Sequence, residues 1–132
     1  MTLEVAVVSP EREVWSGEAE MVIAKGTAGD VGILKGHAPM LVALAVHPVR
    51  VKTPEGERVI LCDGGFLHVT QTTEGATRVD VLAEHASLPE EIDVAAARAR
   101  VEELERRRGE MGEAEAAAEL QKALMRAEFG AR

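Results

Sequence analysis

The feature that most constrains this chain is a change of hydrophobic period near residue 86. Before it, apolar residues recur every second position in runs of four to six, separated by Gly, Pro, Ser and Thr, the spacing of half-buried strands. After it, alanine, glutamate and arginine dominate and apolar residues recur at threes and fours, which is helix patterning. One chain therefore has to combine a β unit, residues 1–86, with a helical unit, residues 87–132.

Within the first part, Leu3, Val5 and Val7 alternate with Glu4 and Ala6 and predict an edge or sandwich strand ended by Ser9 and Pro10. Residues 18–24 read as one alternating strand with its odd-numbered face buried. Further strands are expected at 41–46, 49–53, 58–63, 66–71 and 78–83, with Pro48 separating the first two. Thr53-Pro54-Glu55-Gly56 has hairpin-turn chemistry, and Gly75 centres another turn. Many short strands at this spacing predict a β-sandwich or flattened barrel. Gly64-Gly65 marks a bulge or a close approach between strands.

In the second part, Val94, Ala97, Val101 and Leu104 form one stripe, and Ala117, Leu120, Leu124 and Ala127 a second. With residues 109–112 as a break, they predict two helices of about 14 residues closed into an antiparallel hairpin. A capping box from Ser87 to Glu90 and an N-cap at Asp93 compete for the first helix start. Helices so short and alanine-rich are marginal alone, so a mobile element is expected.

Composition narrows the functions. With two Phe, one Trp and no Tyr, stacking platforms for bases are nearly absent, and a net charge of -8 repels nucleic acid. Cys62 is the single cysteine, which excludes an internal disulfide and fits a reducing compartment. No apolar run approaches the roughly 20 residues that span a bilayer, so a cytosol-facing chain without bilayer insertion is expected. His37, His47, His68 and His85 lack metal-ligand spacing, and no nucleophile elbow or phosphate loop occurs. No metal, catalytic residue or required cofactor is expected. The run Arg106, Arg107, Arg108 either compensates a helix C-terminus or docks on an acidic partner.

Residues 29–41, G-D-V-G-I-L-K-G-H-A-P-M-L, alternate turn and apolar run, and resemble the signature of the epsilon subunit of F-type rotary ATP synthases. The likeness continues in order through S-P-E-R-E-V-W-S-G-E-A at 9–19, G-G-F-L-H-V at 64–69, V-D-V-L-A-E-H-A at 79–86 and E-E-I-D at 90–93. It implies a non-catalytic rotor subunit at the cytoplasmic face of the bacterial cell membrane, peripheral to it and serving proton transport and ATP synthesis. Residues 1–86 would bind the rotor, and residues 87–132 would regulate.

The resemblance also favours Asp93 over Ser87 as the start of the first helix, and site residues follow from it as well. Asp30 stands where the family meets the ring of c subunits, and His37 where it meets the gamma subunit. The hairpin would extend toward the alpha and beta subunits and inhibit ATP hydrolysis, with Arg106, Arg107, Arg108, Lys122 and Arg126 as contacts. Ile92 and Asp93 match the start of an ATP-binding motif whose arginine is replaced by Ala96, so ATP is expected to bind weakly or not at all. The competing reading is a stand-alone nucleotide-sensing or ligand-binding domain.

Overall fold

In the computed structural model, which describes residues 2–131, the chain forms two compact units, Met1–Ser87 and Leu88–Arg132. The first holds eight strands: β1 (Leu3–Val8), β2 (Glu13–Ala19), β3 (Met21–Gly26), β4 (Gly29–Ile33), β5 (Met40–Thr53), β6 (Gly56–Gln71), β7 (Thr77–Ala83) and β8 (Ala86–Ser87). They make one hydrogen-bonded sheet in the order β2-β1-β7-β6-β5-β3-β4, with β8 on β6. The sheet is antiparallel except where β1 runs parallel to β7. Folded on itself as a sandwich, it encloses Leu3, Val7, Val22, Ile33, Val49, Val51, Ile60, Leu67, Val69, Val79 and Val81, each at most 1 % exposed. At roughly 1.5–3 kcal/mol per fully buried aliphatic side chain, these are the main source of cohesion.

Several expectations need correction. β5 and β6, of 14 and 16 residues, each replace two predicted strands. Pro48 does not break β5, because the β3 partners of β5 jump from Arg50 to Leu44, and Pro48 falls in that unpaired interval where its missing N–H is not needed. β1 is an inner strand, flanked by β2 and β7, so Ala6 is buried together with Leu3, Val5 and Val7. Residues 18–24 are not one strand: the chain turns at Glu20, whose amide donates to the Lys52 carbonyl at 2.7 Å. Ala19 is buried before that turn, and the even-numbered Val22 and Ala24 after it. A single turn residue had reversed the parity.

The glycine pair lies inside β6. Gly64 and Gly65 hold φ of +89° and +117°, and a Cβ on Gly65 would collide with the Leu82 carbonyl oxygen and lie 2.8 Å from Ala83 Cα. The predicted close approach is therefore between β6 and β7. At the Thr53–Gly56 turn, the Thr53 hydroxyl donates to the Gly56 carbonyl at 2.7 Å and accepts from the Glu55 amide at 3.2 Å.

The second unit contains α1 (Val94–Arg106) and α2 (Glu113–Phe129), packed on each other as a hairpin. Asp93 caps α1, accepting from the Ala96 amide at 3.0 Å. Ser87 does not cap; it is buried in β8. α1 stops at Arg106, before Gly109, and a short 3-10 turn, Arg108–Glu110, leads to α2. In α2 the buried residues are Ala116, Ala123 and Met125, while Leu124 is 46 % exposed. The stripe is thus turned by about one position, some 100°, from the predicted one. The run Ala116-Ala117-Ala118 gives no preference for a phase. Past α2, Gly130 lies against Ile92 and Val94, where a Cβ would come within 2.9 and 2.8 Å of their Cγ2 atoms. The Ala131 amide donates to the Pro89 carbonyl at 2.9 Å, closing the open end of the hairpin.

Candidate functional site

Residues 29–41 leave the β3–β4 hairpin and return to β5. Gly26 and Gly29 are paired across a two-residue turn, Thr27 and Ala28, whose Thr27 amide donates to the Ala43 carbonyl at 2.9 Å. Gly26 must lack a side chain, since a Cβ would stand 2.8 Å from Val42 Cγ1. Asp30 follows on the edge strand β4, exposed and directly opposite Lys25. Beside it opens a cleft of about 300 Å³, bounded by residues 27–31 and 40–43. Ile33, fully buried, anchors the stretch, and Leu34 just after it is 55 % exposed.

His37 occupies the next turn, which is fixed from the far end of the β6–β7 hairpin. The Gly36 amide donates to Thr77 Oγ1 at 2.7 Å, the Thr77 hydroxyl donates to Gln71 Oε1 at 3.2 Å, and Gln71 Nε2 donates to the His37 carbonyl at 2.7 Å. His37 Nδ1 lies 2.7 Å from the Ala38 carbonyl, the geometry of an Nδ1–H donor. Asp30 and His37 thus stand on one ordered segment that presents their side chains to solvent without an acid–base partner for catalysis.

Sequence reasoning missed the face next to this segment. The register places Ala43 opposite Phe66 and Phe66 opposite Leu82, and in the adjoining row Leu41 opposite His68 and His68 opposite Asp80. Leu41, Phe66 and Leu82 are 65, 50 and 51 % exposed, so the outer face of β5, β6 and β7 carries a contiguous apolar surface of the kind that marks a protein contact. The signal was available: β6 and β7 have apolar residues on both faces at Phe66-Leu67 and Val81-Leu82, where a solvent-facing sheet alternates.

The helical candidates belong to the second unit. Asp93 is committed to its cap, and Ile92 packs on Gly130. Arg107, just past the end of α1, bridges Glu103 and Glu110, both at 3.2 Å, and these contacts raise its pKa. Arg106 and Arg108 are exposed and make no ion pair among the described residues. Lys122 stands 3.8 Å from Glu119, and Arg126 is half-buried. The described residues contain no cluster of three metal-ligating side chains. Burial, and secondarily the neighbouring Asp63, pushes the Cys62 thiol up to about 12, so it is an inert core group.

A family model described as ATP synthase, Delta/Epsilon chain, beta-sandwich domain matches residues 2–89. The chain belongs to the ATP synthase epsilon-chain family. It is 46 % identical over 109 residues to the ATP synthase epsilon chain of Brevibacillus brevis, covering 81 % of this chain and 76 % of that one. The epsilon chain of Thermobifida fusca is 44 % identical over 124 residues, covering 92 and 86 %. That of Frankia casuarinae is 52 % identical over 89 residues, or 67 and 99 %. A similar fold occurs in the Euglena gracilis mitochondrial ATP synthase, OSCP/F1/c-ring in rotational state 1, at a TM-score of 0.78 and 20 % identity, covering 94 % of this chain and 78 % of that one. Family membership makes this a stalk-type subunit and not a catalytic one. No described helix is long and apolar enough to cross a membrane.

Proposed function

We propose that the β unit couples the gamma subunit to the c-ring of a proton-translocating F-type ATP synthase, from the cytoplasmic face of the bacterial membrane, while the helical hairpin regulates hydrolysis. The observation that carries this reading is the apolar face Leu41, Phe66 and Leu82, next to the ordered turn that carries His37. A face with three large side chains half or more exposed is suited to a permanent protein contact, and gamma is its proposed occupant. Asp30, on an edge hairpin tip, is offered to a basic ring loop. The hairpin would reach alpha and beta through Arg106, Arg107, Arg108, Lys122 and Arg126, and ATP would bind at Ile92 and Asp93 weakly or not at all.

Pull-down of gamma tests the reading. Phe66→Ser with Leu82→Ser should leave the sandwich folded, because both side chains already face solvent, and should abolish gamma capture. Asp30→Ala should retain gamma and weaken only attachment to the ring. Full gamma binding by the double variant would refute the assigned face.

A further inference from the structure

β2 is one of the two edges of the sheet. It is bonded to β1 alone, so the backbone groups along its other side face no strand, the condition under which an extended segment can add to a sheet. Across from that edge the Thr53–Gly56 turn stands off, leaving a cleft of about 280 Å³ lined by Trp15, Gly17, Glu18, Pro54, Glu55 and Arg58. Trp15 is the only tryptophan of the chain. Its indole lies over Gly17, where a Cβ would stand 3.1 Å from Cζ2 and 3.2 Å from Cη2. Glycine at 17 thus lets the ring lie along the strand as a wall of the cleft.

The cleft's polar groups are unspent. Among the described residues the Trp15 indole N–H, the Glu18 and Glu55 carboxylates and the Arg58 guanidinium make no hydrogen bond or ion pair. Glu18 also borders a second cleft on the other side of β2, of about 350 Å³, with Glu4, Glu13 and Arg78. Arg78 is already held by both Asp80 oxygens at 3.1 and 3.0 Å. Arg78 also stands 4.0 Å from Glu4, so the edge offers the three carboxylates of Glu13, Glu18 and Glu55, with Arg58 as the one guanidinium of the two clefts not engaged by an acid.

We propose that the β2 edge binds an extended, arginine- or lysine-bearing segment of a protein partner, which pairs with β2 and sets one cationic side chain in the Trp15 cleft. The indole face attracts a cation brought within about 6 Å of the ring, Glu18 and Glu55 add charge-assisted hydrogen bonds, and the open backbone supplies the ladder. An anionic partner is repelled by the same three carboxylates. This surface is separate from the face on β5, β6 and β7 assigned to gamma, and its test does not depend on that assignment.

Because Trp15 is the sole tryptophan, its fluorescence reports the cleft directly. The full chain is titrated with a ten-residue peptide of alternating arginine and threonine, at low salt. A saturable change is expected, weakened about fivefold in the Glu18→Gln, Glu55→Gln variant, as for the loss of two exposed charge pairs. The Glu102→Gln, Glu105→Gln variant removes the same charge from α1 and should bind like the parent. A peptide with proline in place of each threonine keeps the charge, cannot complete a ladder and should bind more weakly. The proposal is overturned by no saturable change up to millimolar peptide, by equal losses in the two double variants, or by equal binding of the proline peptide.

Discussion

The Gly36 amide donates to the Thr77 hydroxyl oxygen across 2.7 Å, joining positions 41 residues apart. Thr77 is fully buried and its hydroxyl donates to Gln71 Oε1, while Gln71 Nε2 donates to the His37 carbonyl. The turn that carries His37 is thereby held by a polar chain rooted in β7, in addition to its own His37 amide to Leu34 carbonyl bond at 3.0 Å and the Ile33 anchor. The Thr77 hydroxyl is the link between turn and β7.

Thr77→Val keeps the shape and deletes that hydroxyl. The Gly36 amide and the Gln71 carbonyl lose their partner; both residues are exposed, so the cost is that of ordinary hydrogen bonds, about 0.5–1.5 kcal/mol. Urea unfolding should show a lowered midpoint, and hydrogen exchange at Gly36 and His37 should accelerate by more than global destabilisation explains. Unchanged local protection would show that the turn is ordered by something else.

Gly65→Ala and Gly29→Ala separate collision from backbone strain. Both positions have positive φ, +117° and +142°, and so share a backbone cost of about 1–3 kcal/mol. Only at Gly65 does the new methyl meet the Leu82 carbonyl; at Gly29 nothing lies within 4 Å. Gly65→Ala should therefore be the more damaging, with β6–β7 pairing disturbed. Equal denaturant midpoints would contradict the observed approach of the two strands.

Cys62 gives an alkaline signature. Its folded pKa, about 12, lies above the ordinary thiol value of 9.0, chiefly because burial disfavours the thiolate. A raised pKa contributes stability that is complete below the unfolded value and is lost as pH rises through the folded one. The contribution should fall between pH 9 and 12 at up to about 1.4 kcal/mol per pH unit. Cys62→Ala should show a shallower decline over that window, and the native thiol should resist a thiol reagent at pH 8. Rapid labelling without unfolding would contradict its burial.

Much of this architecture is legible in the sequence because period and turn chemistry act locally. The Thr53–Gly56 hairpin and the change at residue 86 each depend on residues within a turn of one another, whereas local capping chemistry left Ser87 and Asp93 as equal starts for α1. What escaped depends on partners far along the chain. Pro48 looked like a strand break because the interruption in β3 pairing that tolerates it cannot be read from residues 40–53. The parity error at Glu20 arose because one residue of turn is invisible to a count of alternation. The outward positions of Phe66 and Leu82 leave a signal in the apolar pairs Phe66-Leu67 and Val81-Leu82, but such a pair fits a strand buried on both faces as well as one with an exposed apolar face. The helix stripe of α2 failed where three successive alanines make every phase equivalent.

Truncation tests the division of the chain. A cut after Ser87 keeps all eight strands, including Ala86 and Ser87, which pair with Cys62 and Leu61. Every ladder of the sheet and its fully buried residues then remain, so the fragment should unfold cooperatively. A cut after Glu84 also removes the His85 carbonyl, which accepts from the Asp63 amide at 2.9 Å, and uncovers the β6 edge at Leu61 and Cys62. This shorter fragment should be less stable by about 2 kcal/mol or more, since a buried amide loses its acceptor. The complementary piece, residues 88–132, has helices of only 13 and 17 residues, and should be weakly helical alone. Under the proposed roles the 1–87 fragment should still capture gamma, while hydrolysis by the reconstituted complex should rise, because the element that reaches alpha and beta is gone. A fragment that fails to fold would refute the independence of the β unit; one that folds and binds gamma with hydrolysis unchanged would leave the rotor role and remove the regulatory one.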